Sequence, residues 1–389
     1  MYLFLLSKNM IGQSLKRIKA VAHKEFVQIK RDARSLGLAL AIPVFMLLIF
    51  GYGLSLDIDQ VHTLIWNQDS SSQVTREFLL NFQNSKYFKI IGYTDNYRDI
   101  QRKIDNGQIM MALVVPKDFS HYLQSGKPAP LQLIVDGSDA NTATIAMGYV
   151  RTVVSNYNVE LLANLFAKHG LVPVKSVNVH PRVWFNMGLT STWFIVPGVI
   201  AMIIMIISAL LISVTIAREW ERGTMEQLIS TPVKGYELIV GKFIPYFVIG
   251  FFDLAVGVVM AQVLFRVPFR GNYLLLMILS SLFITGALAQ GILISVASKT
   301  QLMASQLASI TTLIPTLLLS GFIYPIFNMP KFIQIFTYLI PARYYITVLR
   351  DLFLKGNGIA TIWDEALFLL VFACFMFVFA ISRFKKKVA

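Results

Sequence analysis

The feature that most constrains the fold of this chain is a set of long apolar segments. A helix needs about 20 apolar residues to cross the hydrocarbon core of a bilayer. Six segments approach or exceed this length: Leu36–Leu56, Trp193–Ala217, Phe243–Phe265, Tyr273–Ala297, Leu302–Ile323 and Trp363–Ile381. Only 14% of the 389 residues are charged, whereas a soluble domain carries about 25%. The sequence therefore predicts an α-helical polytopic membrane protein with six transmembrane helices.

The formal net charge of +14 is concentrated at the two ends of the chain. Residues 1–34 carry eight Lys or Arg against two acidic residues, and the tail carries Arg383 and three lysines without an acid. Basic residues mark the cytoplasmic side, and six spans place both termini on one side. We therefore expect both termini in the cytoplasm. The basic charge then meets anionic lipid rather than nucleic acid.

The first 35 residues predict a basic amphipathic helix that precedes the first span. Apolar residues recur at helical spacing at Ile11, Leu15, Ile18, Ala22, Phe26 and Ile29, and basic residues fill the other face. Such a helix lies in the membrane surface; the alternative is a solvated charged helix. MYLFLL is too short for a signal peptide, and the true start is expected at Met1 or Met10.

Residues 57–188, between the first two predicted spans, are too numerous for a loop. Strand and helix patterns alternate there, which indicates a small α/β (α+β) domain. Topology places this inserted domain outside the cytoplasm. The predicted strands are 61–66, 87–93, 109–115 and 131–136, and the predicted helices are 70–84, 95–106, a short one ending at Gln124, and 140–169.

The inner loop 218–242, REWERGTMEQLISTPVKGYELIVGK, predicts a short helix. Thr224 and Gln227 have the spacing of a capping box, and Pro232 stops the helix. The expected helix is Met225–Ser230, with apolar side chains exposed at the cytoplasmic surface. Such a helix either docks into a groove of another protein or lies against lipid.

The outer segment 324–360 is too apolar for a plain loop. Its apolar residues repeat every three or four positions. We expect short interfacial or re-entrant helices there, with tyrosines in the aromatic belt.

No catalytic constellation is present in the sequence. GxxxxGK[ST], HExxH, CxxC and GxSxG are all missing, and the five histidines are scattered. We therefore expect no catalytic, cofactor or metal site in this chain. Asp253 is the only acid well inside a predicted span and is a candidate intramembrane polar site. The alternative is a structural hydrogen bond to Gln262, Thr285 or Gln290.

Two motifs resemble those of type 2 ABC exporter permeases. They are ERGTMEQLISTPV at 221–233 and SGFIYPIFNMPKFIQIFTYLIPARYYITVLRDLFLKG at 320–356. NQDSS (67–71), PKDFS (116–120) and VDGSDANTA (135–143) also resemble the outer domain of the larger members. The matching order of elements covers nearly the whole chain. The chain most resembles the bacterial multidrug-type permeases encoded beside an ATPase and a periplasmic adaptor.

This resemblance implies a permease subunit of an ATP-driven exporter in the bacterial inner membrane, with residues 57–188 periplasmic. The implied substrate is amphipathic or hydrophobic, either drug-like or lipidic. The implied partners are a separate ATPase that binds ATP and Mg²⁺, a second permease copy or paralogue, and a periplasmic adaptor. The loop helix would be the coupling helix, with ATPase contacts at Glu219, Glu221, Arg222, Gly223, Thr224, Glu226, Gln227 and Leu228.

Three other functions compete with this one. An ion-coupled carrier predicts several intramembrane charges and an inverted repeat, and a membrane enzyme predicts clustered His, Asp or Glu at the outer interface. The sequence shows neither pattern. A mechanotransmission, sensor or assembly protein is the stronger alternative: its outer domain would bind a partner, and no substrate would pass through the spans.

Overall fold

The structure is a computed structural model that describes residues 2–54, 60–168, 185–186, 190–298 and 300–384. The chain forms two compact units. The membrane unit comprises residues 1–55 and 182–389, and the insert unit comprises residues 56–181. Three features of the sequence lie outside the described residues: His169 at the end of the last predicted insert helix, His180, and the lysines at 385–387.

The elements follow in chain order. The first part of the chain forms α1 (Tyr2–Arg31), α2 (Ala33–Gly53), β1 (Val61–Asn67), α3 (Gln73–Gln83), β2 (Phe88–Tyr93), α4 (Tyr97–Asp105), β3 (Met111–Val115), α5 (Phe119–Gln124), β4 (Gln132–Val135) and α6 (Ala140–Lys168). The second part forms α7 (Ser191–Glu221), α8 (Thr224–Ser230), α9 (Gly235–Val263), α10 (Tyr273–Ala297), α11 (Gln301–Ala308), α12 (Ile314–Leu319), α13 (Lys331–Thr337), α14 (Pro341–Arg350) and α15 (Trp363–Arg383). Residues Ser309–Leu313 and Asp351–Lys355 are π-helical and continue α11 and α14, and Ile326–Asn328 is a 3₁₀ turn.

Within the described residues, five helices are long and apolar enough to cross a membrane, rather than the predicted six. They are α7, α9, α10, α15 and the helix from Gln301 to Leu319. The predicted first span corresponds to α2, a helix of 21 residues in which Ala39–Gly53 is an apolar stretch. The count reaches six only if α13 and the helix that begins at Pro341, which meet at a bend of 82°, form one broken span. This bent pair matches the short helices expected in segment 324–360.

Helix α7 forms the centre of the membrane unit. It packs against α2, α9, α10, α11 and α14, and most of its side chains are buried, including those from Ile195 to Met205. Small residues permit the closest approaches. A Cβ on Gly291 would lie 2.6 Å from the carbonyl oxygen of Ala209. Backbones pack this closely in membrane bundles because contact between helices, rather than exclusion of water, holds them together.

Helix α1 is divided between a buried face and an exposed face. Val21, Glu25 and Ile29 are buried, and α1 packs along α9. Leu15 and Phe26, two members of the predicted apolar stripe, are instead 61% and 54% exposed. The predicted helix is confirmed, but the stripe is split, because the face that packs on α9 is offset and contains a carboxylate.

The insert unit is a four-stranded sheet with helices, as the alternating pattern predicts. The strand order is β2-β1-β3-β4. β1 pairs in parallel with β2 and with β3, and β3 pairs antiparallel with β4. Every residue of β3 is buried, which is typical of a central strand covered on both faces. Phe78, Phe82 and Phe119 pack in the same core as β3.

Asp69 joins two of the loops that follow strands of this sheet. Its Oδ2 accepts hydrogen bonds from Thr75 Oγ1 and from the Ser120 amide, both at 2.9 Å. Burial favours the neutral carboxyl, but the bonds from Ser120 and Thr75 outweigh burial, so the pKa of Asp69 is lowered. NQDSS and PKDFS, two of the motifs behind the family resemblance, therefore meet at this carboxylate.

We expect Asp69→Ala to destabilise the insert unit by roughly 1.5–3 kcal/mol, because the substitution removes a buried charged acceptor and leaves its two donors unpaired. The pKa of Asp69 is lower in the folded protein than in the unfolded chain. Its carboxylate therefore contributes fully to stability above the unfolded pKa of about 3.9, and this contribution is lost as the pH falls through the pKa of the folded protein. Hydrogen–deuterium exchange of the full-length protein should show faster exchange at 73–83 and 116–124. The exposed control Asp95→Ala should leave both segments unchanged, and equal exchange in the two variants would contradict this role.

Candidate functional site

The loop between α7 and α9 contains the predicted short helix, but it begins differently from the prediction. Helix α8 starts at Thr224, one residue early, and its N-cap is Gly223 with φ +69°. Thr224 is not the cap. Its hydroxyl donates to the carbonyl of Glu219 at 3.2 Å. The predicted capping box is therefore wrong, because a left-handed turn at Gly223, which glycine adopts without strain, reverses the chain after α7.

The eight predicted ATPase-contact residues separate into an exposed set and an inner set. Glu219 is buried and Leu228 is half-buried. The other six are exposed: Glu221, Arg222, Gly223, Thr224, Glu226 and Gln227. Besides Thr224, Glu221 has a partner in the same chain: its Oε2 accepts from the backbone and side-chain amides of Gln301 at 3.0 and 2.9 Å.

The apolar side chains of α8 are not exposed in the way that the sequence predicts. Met225 is fully buried in the core of the membrane unit, and Leu228 packs against that core. The side chain of Ile229 lies outside the described residues. Helix α8 is therefore held to the bundle by Met225 and presents Glu226 and Gln227 outward. The surface available to a partner is polar rather than apolar.

A buried ion cluster lies directly behind this loop. Lys242 of α9 is 1% exposed, and its Nζ lies 2.7 Å from Glu25 Oε1 and 2.5 Å from Glu219 Oε2. Lys24 pairs with both carboxylates and lies 3.0 Å from Glu25 Oε1. Two lysines and two glutamates thus neutralise one another. The cluster connects α1, the end of α7 and the start of α9.

Lys24 is the member of the cluster that reaches solvent, and its neighbouring charges favour its ionised form. Burial of the Lys24 ammonium lowers its pKa, but the Glu25 and Glu219 carboxylates raise it by more, so the net shift is upward. Lys24 therefore remains charged at neutral pH.

Arg17 and Glu237 hold the second half of the loop. Arg17 Nη1 donates to the carbonyl of Pro232 at 2.7 Å and lies 3.4 Å from Glu237 Oε2. Glu237 also accepts from the Lys234 amide at 2.8 Å, which caps the start of α9. Helix α1 therefore contacts both ends of the loop that carries α8.

Sequence reasoning missed the ion cluster, although each member carries a weak signal. Glu25 occupies a helical stripe with Val21 and Ile29 on α1, where a lone acid interrupts an apolar face. Lys242 stands alone at the N-terminal end of an apolar run. No local spacing links the two, because they are 217 residues apart.

Asp253 is buried in the middle of α9 with a relative exposure of 2%. Among the described residues, neither carboxylate oxygen has a hydrogen-bond partner. The expected structural bonds to neighbouring helices are absent: Gln262 accepts from Tyr273, Thr285 donates to Ser281, and Gln290 donates to Thr311. The hydroxyl of Ser208, on the facing helix α7, is also buried and unpartnered in the described part of the chain.

We expect Asp253→Leu to be as stable as the natural protein or more stable, because an unpaired buried carboxyl costs free energy that an apolar side chain of similar size does not. The measurement is thermal unfolding of the purified protein in detergent. Leu254→Asp, which buries a second carboxyl one residue away, should be strongly destabilising. A marked loss of stability in Asp253→Leu would show that the carboxyl has a structural partner and would contradict this account.

The comparisons with known proteins agree with the helical membrane architecture. The sequence profile of the family described as "ABC-2 family transporter protein" matches residues 34–382. The chain is thus a membrane permease subunit of an ABC transporter and not an enzyme. It belongs to the ABC-2 transporter family, and members of this family work with an ABC ATPase.

Similar proteins include two permeases of Escherichia coli K12. The "Probable multidrug ABC transporter permease YbhS" is 36% identical, with 92% of this chain and 94% of the relative covered. The "Probable multidrug ABC transporter permease YbhR" is 27% identical over 96% of this chain and 99% of the relative. "ABC transporter G family member 20" of Dictyostelium discoideum is 22% identical over 95% of this chain, which covers half of that longer relative.

Proposed function

We propose that this chain is the permease of an ATP-driven exporter in the bacterial inner membrane. It moves an amphipathic or hydrophobic substrate, drug-like or lipidic, out of the cytoplasm or the inner membrane. Both termini and α8 lie in the cytoplasm, and residues 57–188 lie in the periplasm. Two permease chains, identical or paralogous, form the transport path, and a periplasmic adaptor continues it. ATP and Mg²⁺ bind to the separate ATPase.

The observation that carries this proposal is the way in which α8 is attached to the helices of the membrane unit. A seven-residue helix is held by buried Met225 and presents polar Glu226 and Gln227. Through Glu219, the ion cluster connects the end of α7 to α1 and α9. A displacement of α8 by the ATPase would therefore move three helices together. This is the property that a coupling helix requires, and it supports α8 in that role.

A sensor or assembly function is the second candidate, and the packing of α7 favours it. In the part of the chain that the structure describes, most side chains of α7 from Ile195 to Ala217 are buried against neighbouring helices. A transport path then has to form between two permease chains. If each chain moved as a sealed bundle, it would transmit force without passing substrate.

Capture of the ATPase tests the proposal. The tagged permease is purified from native membranes in mild detergent, and copurifying ATP-hydrolysing subunits are identified. We expect the Glu226→Lys, Gln227→Arg double variant to lose at least about tenfold of the captured ATPase, because it reverses the charge of the surface offered by α8.

Glu160→Lys is the matched control, since Glu160 is an exposed acid on α6 of the insert unit. It should capture as much ATPase as the natural chain. If an ATPase is captured equally by both variants, the coupling role of α8 is wrong. If none is captured by the natural chain, the exporter proposal fails and the sensor function takes precedence.

A further inference from the structure

Two cavities of the membrane unit share one lining residue, Arg218. The first has a volume of about 610 Å³ and lies between the last two turns of α1 and the end of α7. The second has a volume of about 370 Å³ and lies between α7 and α11. Arg218 lines both. Its Nε donates to Gln301 Oε1 at 2.9 Å and its Nη1 pairs with Asp32, so the guanidinium is fixed in the wall that the two cavities share.

The first cavity is basic. Its charged lining residues are Lys24, Arg31, Arg218 and Arg222 against the single acid Asp32. Lys24 and Arg218 already have carboxylate partners. Arg31 and Arg222 are exposed and make no ion pair within the described parts of the chain. Two guanidinium groups are therefore available, and guanidinium binds phosphate through two parallel hydrogen bonds.

The second cavity is mainly apolar. Leu210, Leu211, Val214 and Leu302 line it, with Thr215 and Ser305 as its small polar members. Val214 and Leu210 lie about one and two turns from Arg218 along α7, so the groove extends roughly 12 Å toward the middle of the span. Leu302 is 67% exposed at its rim. A hydrocarbon chain could therefore enter the groove from the bilayer.

We propose that these two cavities form one binding site for an anionic amphiphile with a phosphate headgroup. The phosphate binds Arg31 and Arg222, and one hydrocarbon chain lies against Leu211, Val214 and Leu302. Phosphatidylglycerol-like lipid of the inner leaflet has this chemistry. The site rests on the proposed cytoplasmic location of α8, which places the basic cavity at the level of the lipid headgroups. It adds a charge preference to the proposed amphipathic substrate class.

Native mass spectrometry of the purified full-length permease, without its ATPase, tests this site. The probes are phosphatidylglycerol, phosphatidylcholine with the same acyl chains, dodecyl phosphate and glycerol phosphate. We expect phosphatidylglycerol to bind at least about tenfold more tightly than phosphatidylcholine, because each basic residue near a membrane surface favours anionic lipid. Glycerol phosphate, which lacks a chain, should bind far more weakly than either anionic amphiphile.

Three variants locate the binding. Arg31→Gln with Arg222→Gln should abolish the preference for phosphatidylglycerol, and Val214→Trp, which fills the groove, should weaken both lipids and dodecyl phosphate. Lys16→Gln with Lys19→Gln removes two exposed charges from α1 outside the cavity and should change nothing. Equal losses in the two charge variants, or strong binding of glycerol phosphate alone, would overturn the two-part site.

The source of the amphiphile is distinguished by what copurifies. Phosphatidylglycerol that remains bound after extensive washing, and that dodecyl phosphate displaces only slowly, identifies a resident lipid. Rapid exchange of both probes identifies an access site for cargo. Because the ATPase takes no part in these measurements, failure of the lipid site and failure of the exporter proposal are separate results.

Discussion

Lys242→Met should destabilise the membrane unit by about 3–5 kcal/mol, the cost of removing one partner from a buried ion pair. The ammonium of Lys242 lies between Glu25 and Glu219, both buried. Its loss leaves one ammonium for two carboxylates in the interior. Thermal unfolding in detergent, followed by tryptophan fluorescence, measures the effect. The exposed Lys331→Met should unfold at the same temperature as the natural protein.

A double-mutant cycle separates charge balance from lost packing. Lys242→Met with Glu219→Leu leaves Lys24 and Glu25 as a neutral pair 3.0 Å apart. We therefore expect the double variant to cost less than the sum of the single variants by at least about 1 kcal/mol, since the two sites share partners. Strict additivity, or a Lys242→Met variant as stable as the natural chain, would show that the cluster is not coupled.

Gly241→Ala should separate α1 from α9. A Cβ at position 241 would lie 2.7 Å from the Cβ of Val21 and 3.1 Å from the carbonyl oxygen of Ile18. These atoms belong to the body of α1 and cannot rotate away, so we expect overpacking to cost roughly 1–3 kcal/mol. Displacement of α1 would also lengthen the contact between Glu25 and Lys242. Faster hydrogen–deuterium exchange over residues 12–31 is the expected readout.

Gly12→Ala is the control for this substitution. It lies on α1 with open space around the position of a Cβ, and alanine is the better helix former by about 1 kcal/mol. Its exchange should be unchanged or slower. If Gly241→Ala exchanged no faster than Gly12→Ala over residues 12–31, the close approach of position 241 to Val21 and Ile18 would not hold α1 against α9.

Local patterns predicted most of the elements. The membrane helices follow from uninterrupted apolar runs, and Tyr273–Ala297 has the predicted bounds. The alternating strands of the insert unit follow from period-two patterns bounded by turn residues. The predicted first span corresponds to the 21-residue helix α2. The sequence predicts short helices in segment 324–360 but not the 82° bend before Pro341.

The predictions that were wrong concern contacts between parts of the chain that are far apart in sequence, which local sequence patterns do not reveal. Thr224 has the sequence context of a cap, but the turn at Gly223 moves the cap one residue earlier. Met225 appeared exposed because the loop was considered without the bundle that covers it. The partners of Lys242 lie on α1 and at the end of α7, so the cluster exists only once three helices pack together.

Photo-crosslinking in native membranes tests whether α8 is the contact through which the ATPase drives this permease. A photoreactive phenylalanine analogue replaces Gln227 on the exposed face of α8 or, as control, Glu160 on α6. We expect a crosslink to an ATP-binding subunit from position 227 and none from position 160. If position 227 formed no crosslink while the ATPase copurified with the permease, the contact would lie elsewhere and the account would be contradicted.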